Sequence, residues 1–175
     1  MKKTIIAALL ILALTTTALF AVTDNFNVTT TVAEVGLIKI TTAAIGTTHS
    51  VSTFNALTDF TTLAINSSGS QTFTAYMTTL SNKRSGYTVK MVASAMTSTV
   101  GSATSYINYT VGCNSLTATT NGASGSSEIT VLTVPSLSAI TGSSKAITLS
   151  VDATTFEAAV SGSYTGTVTF TYTAT

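Results

Sequence analysis

The chain has 175 residues and a mass of 17.8 kDa, with 45% hydrophobic residues, only 7% charged residues and a mean hydropathy of +0.48. Its 40 Thr and 22 Ser stand where an average domain carries charges at ~25%, so hydroxyl side chains must form the solvated face; they also disfavour helix, because Thr is stiff at its branched carbon and Ser competes for the backbone. Seven Lys and Arg are too few to neutralise a nucleic-acid backbone, and positive hydropathy with aromatics in alternating runs opposes disorder, which leaves a single all-β domain.

In chain order, Lys2 and Lys3 precede an apolar run over residues 5–14, three Thr, and Ala18-Leu19-Phe20-Ala21. This is the pattern of a cleaved secretory signal over residues 1–21, with Ala21 as the cleavage position and Ala18 as its competitor. The run is about ten residues long, half the ~20 that a membrane span needs. Without Lys2 and Lys3 five basic residues face six acids, so the exported chain is close to neutral.

Period-two alternation then dominates, as expected of strands with one buried face. Phe26, Val28, Thr30 and Val32 alternate with polar residues in a first strand, and residues 35–40 form a second. Leu63 with Ile65, and Phe73 with Ala75 and Met77 up to Leu80, predict two more. The Ser81-Asn82-Lys83-Arg84-Ser85-Gly86 segment is a turn built from residues that tolerate or cap unusual backbone angles, and Tyr87, Val89 and Met91 read as the second arm of a hairpin. Further strands are expected at residues 106–111, 129–134, 146–151 and 164–174, with a helical turn or a loop at 155–160. Eight or nine short strands separated by turn signals suit a Greek-key sandwich or small barrel.

Little in the chain promises chemistry. His49 is the one imidazole and lies in the polar run Gly46-Thr47-Thr48-His49-Ser50; Cys113 is the one thiol, with no basic residue within five positions to activate it. The acids Asp24, Glu34, Asp59, Glu128, Asp152 and Glu157 are scattered singly, so neither a catalytic triad nor a metal loop is expected, and no cofactor motif is present. Three Asn-x-Ser/Thr triplets, at Asn27, Asn66 and Asn108, occur at the frequency that such a Thr-rich chain gives by chance. The expectation is a protein that is not an enzyme, with no catalytic, cofactor or metal residues.

The C-terminal run from Gly162 through Tyr164, Gly166, Val168 and Phe170 to Tyr172 resembles the closing strand of chaperone-usher pilins. Phe26 to Val32 resembles their donor strand, and Phe73 to Asn82 followed by Tyr87 to Met91 is similar to the central hairpin of alpha-type colonisation fimbriae and, more loosely, of spore-coat U-type secreted domains. The resemblance implies an immunoglobulin-like Greek-key sandwich that lacks its last strand and is completed by the N-terminal extension of the next subunit. It implies a donor-strand extension over residues 22–33 and a pilin-like domain over 34–175. Phe26, Val28, Thr30 and Val32 would fill the groove, and Val168, Phe170 and Tyr172 would lie on the strand that edges it. It implies a homopolymer, escorted by a periplasmic chaperone and an outer-membrane usher, that ends as a surface fimbria supporting adhesion. Many pilins carry an internal disulfide that a single Cys113 cannot form; the alpha-type branch lacks it too. A free-standing secreted coat, matrix or carbohydrate-binding sandwich is the alternative. An eight-stranded outer-membrane barrel fits the length, but the chain ends Thr173-Ala174-Thr175 without a terminal aromatic.

Overall fold

A computed structural model describes residues 25–175, so the expected signal over residues 1–21 and the first residues of the proposed extension, 22–24, lie outside it. The chain divides into two units at Val32. In the first unit, residues 25–32 form neither helix nor strand, and Phe26, Val28 and Val32 expose 86%, 82% and 78% of their surfaces. The strand expected at Phe26–Val32 is therefore not formed in the isolated chain. Alternation supplies two faces, but a ladder also requires a partner backbone.

The second unit is all-β, with antiparallel sheets and two helices of five residues. Its first strands are β1 (Gly36–Thr41), β2 (Gly69–Ser70), β3 (Tyr76–Ser81) and β4 (Tyr87–Ala93). β5 (Met96–Val100), β6 (Ala103–Ile107), β7 (Tyr109–Cys113) and β8 (Leu116–Thr119) follow, and then β9 (Ile129–Val134), β10 (Thr141–Val151) and β11 (Val168–Ala174). One sheet has the order β1-β3-β10-β7-β8, with β2 beside β10; the other has the order β11-β4-β9; β5 and β6 pair as a separate hairpin. The two main sheets are open, each ending in two edge strands, and do not close into a barrel.

Between them lies a core of Met77, Tyr87, Val89, Met91, Tyr109, Val111, Cys113 and Val131, with Val151 and Ala118. Residues 73–91 do not form the expected hairpin. β3 pairs with β1 and β10, whereas β4 pairs with β11 and β9, so the turn at 82–86 carries the chain from one sheet to the other. Gly86 permits the crossing: its φ is +87°, and a Cβ would stand 1.9 Å from the Val134 carbonyl oxygen.

Hydroxyls are used on both faces of β3. Toward the core, the Tyr87 and Tyr172 rings stack at 4.8 Å, and their hydroxyls share hydrogen bonds of 2.9 Å with Thr79 and Ser81. On the outer face Thr41, Thr78 and Ser144 form a hydroxyl row across β1, β3 and β10, with spacings of 2.9 and 2.8 Å. The row holds the loop after β1, because Thr41 donates to the Ala43 carbonyl and the Ile45 amide donates to Ser144 Oγ. Thr41, Thr78, Thr79 and Ser81 are thereby fully buried, each with a partner that offsets its desolvation.

Several elements escaped the alternation rule. The hairpin β5–β6 and strand β8 consist largely of Thr, Ser and Ala, and β10 extends five residues before the expected Ala146. Residues 106–111 split at Asn108, whose side chain accepts from the Gly122 amide. Helix α1 (Val51–Asn55) starts at the cap Ser50, which accepts from the Thr53 amide. Helix α2 (Ala153–Glu157) starts at Asp152, which accepts from the Thr155 amide. That bond holds the Asp152 carboxyl below its ordinary range.

Candidate functional site: an open groove along the last strand

β11 is the last strand of its sheet, and its outer edge has no strand partner among the described residues. Along that edge the two main sheets stand apart and leave a groove of about 820 Å³. Val168 and Phe170 form one wall, continued backwards along the chain by Gly166, Tyr164 and Val160. Tyr109 and Val111 from β7, with Ile147 and Leu149 from β10, supply the apolar base.

Residues 61–65 also line the groove. Here the expected strand at Leu63 and Ile65 is extended, with Leu63 and Ile65 half-buried and Thr62, Ala64 and Asn66 exposed, yet it belongs to no ladder. Its regular bonding stops at Phe60, whose amide donates to the Ile40 carbonyl, and resumes at β2, where Gly69 and Ser70 pair with Val151 and Ser150 of β10. The groove is thus lined by two extended segments, one an edge strand and the other outside any ladder. Aromatic rings crowd it: Phe60 and Phe73 pack at 5.6 Å, and Phe156 and Tyr164 add to the lining.

Of the residues expected at the groove edge, Val168 and Phe170 line the groove, and Tyr172 does not. The Tyr172 ring lies against Tyr87 and Gly36, where a Cβ on Gly36 would approach it to 2.9 Å. It closes the sandwich beyond the end of the groove. The expected groove-filling residues Phe26, Val28, Thr30 and Val32 are all exposed in the first unit. Residues 61–65 were not expected at the site; their alternation was legible, but nothing in it says that the backbone goes unpaired.

Cys113 and His49 lie outside the groove. Cys113 is buried on β7 and unpaired, and burial pushes its thiol up to about 11. Burial likewise pushes the Tyr109 hydroxyl up to about 12. His49 lies in the loop between β1 and α1, with its ring edge 3.2 Å from where a Cβ on Gly142 would stand. Among the described residues, no three His, Cys, Asp or Glu side chains converge on a common point. Neither does any described helix have the length and apolar character to cross a membrane. No protein-family model matches the sequence, and no curated protein or solved structure is significantly similar to it.

Proposed function

We propose that this protein is a structural subunit of a surface fibre, assembled when the N-terminal segment of one copy enters the groove of the next as an added strand. The observation that carries this reading is the groove itself, an apolar slot of about 820 Å³ lined by an edge strand and by an extended segment outside any ladder. A bare sheet edge beside half-buried apolar side chains such as Val168 and Phe170 favours association with another backbone. Strand addition satisfies both needs, since main-chain bonds give affinity and alternate side chains fill pockets.

The same chain carries a matching occupant. Phe26, Val28 and Val32 are large, apolar, at period two, and exposed. Burying each is worth ~1.5 to 3 kcal/mol, before any ladder bonds form. The seven residues 26–32 extend about 23 Å at ~3.3 Å per residue, the length of an ordinary strand. The signal-like pattern over residues 1–21 supports assembly outside the cytoplasm. The resemblance to chaperone-usher pilins adds the expected route: a periplasmic chaperone, an outer-membrane usher, and a fimbria at the cell surface that supports adhesion.

The test is a ladder of oligomers that survives heating in detergent. Val28→Asp, which places a charge in a dry groove, is expected to abolish it. Thr29→Asp lies on the opposite face of the same strand and is expected to preserve it. A chain that stays monomeric, or a ladder indifferent to Val28→Asp, would overturn the reading in favour of a self-contained secreted sandwich.

A further inference from the structure

We infer that Asn82 is a positioning residue that fixes how the donated segment leaves its own subunit, and that it ties that exit to the strand bordering the groove. The inference rests on the strand-exchange reading above. It starts from residues 33–35, the first of the second unit, which connect the exposed segment to β1.

These residues are held by an unusually complete set of bonds for a stretch outside any ladder. The Val35 amide donates to Asn82 Oδ1 at 2.7 Å, Asn82 Nδ2 donates to the Ala33 carbonyl at 2.8 Å, and the Asn82 amide donates to the Val35 carbonyl at 3.1 Å. One amide side chain thus acts as donor and acceptor on alternate residues of the root. Between them, Glu34 pairs with Lys83 Nζ at 2.8 Å.

The clamp is continuous with the wall of the groove. Ser81, the neighbour of Asn82, shares a hydrogen bond of 2.9 Å with the Tyr172 hydroxyl, and Tyr172 lies on β11 two residues beyond the groove-lining Phe170. Ser81 Oγ also accepts from the Lys83 amide at 3.1 Å, which sets the turn. A single turn therefore grips the root of the strand that a subunit gives and the edge of the site where it receives one. In a fibre this junction sets the angle between successive insertions. Asn82 itself does not line the groove, so its effect is on geometry and not on capture.

The experiment compares N82A with the natural sequence in the full chain. In fibres, N82A is expected to keep the heat-resistant ladder and to lower the persistence length seen by electron microscopy. In chains carrying Val28→Asp, spin labels at Thr29→Cys and Thr171→Cys, with Cys113→Ala, report the spread of the exit. That spread is expected to broaden about twofold in N82A, as the root regains backbone freedom. Asn82→Asp keeps the acceptor for Val35 but loses the donor for Ala33, and is expected to fall between. A spread unchanged by N82A would overturn the positioning role whether or not fibres form. Loss of the ladder with a broadened spread would instead make Asn82 part of capture, and would overturn the inference in that way. A ladder that survives Val28→Asp sinks strand exchange itself, while the label measurement still decides the clamp.

Discussion

The sandwich has two flanks, and they are finished differently. On one, the β7–β8 turn uses Asn114 and Ser115 at φ of 52° and 65°, and Asn114 Nδ2 donates to the Val131 carbonyl on β9 at 2.7 Å. Val131 and Ala118 beside it are buried, and the two sheets are tied. On the other flank β11 and residues 61–65 both line the open groove. Both flanks are built from Thr-rich strands. What separates them is whether a short tight turn brings a side-chain amide across the gap. The open flank is where the proposed strand addition would take place.

The largest expected effect comes from breaking the open flank. Phe170→Asp should eliminate the heat-resistant ladder while the far-ultraviolet circular dichroism of the monomer remains that of a β protein. Next, truncation should separate the flanks. Val131→Ala removes methyl groups from a fully buried site and is expected to cost about 2–3 kcal/mol in urea unfolding. Leu63→Ala, on a half-buried wall of the groove, should cost less than ~1 kcal/mol in the monomer and show its effect in the ladder.

A pH titration sharpens the comparison. The Cys113 thiol has an ordinary value of 9.0 and is pushed up to about 11 in the fold. Between these values the unfolded chain releases a proton that the folded chain retains. The stabilisation is therefore complete below pH 9 and is lost as pH rises toward 11, by on the order of 2 kcal/mol. Cys113→Ala should flatten that part of the curve, and the native thiol should resist alkylation at pH 8. Smaller again, Asn114→Gly keeps the turn angle but loses the bond to Val131, at about 0.5–1.5 kcal/mol. Smallest is Lys90→Ala. The pair with Glu128, at 2.6 Å, is exposed on both sides, and its loss should change the urea midpoint by less than ~0.5 kcal/mol equivalent.

The sequence by itself determined the class and the faces. Thr-rich alternation required strands, and Val168 and Phe170 were legible as one side of a strand, as were Leu63 and Ile65. The Asn, Ser and Gly of residues 82–86 announced a turn. Tertiary structure alone decided which strands pair. Period two gives the face on which a side chain lies and is silent about the neighbour, so the turn at 82–86 could join a hairpin or cross between sheets. For the same reason residues 61–65 and β11 read as ordinary strands, although each leaves an edge unpaired. The burial of Thr78 and Thr79 was hidden as well, because a hydroxyl suits solvent and core equally once a partner hydroxyl stands within 3 Å, and only the folded chain supplies that partner.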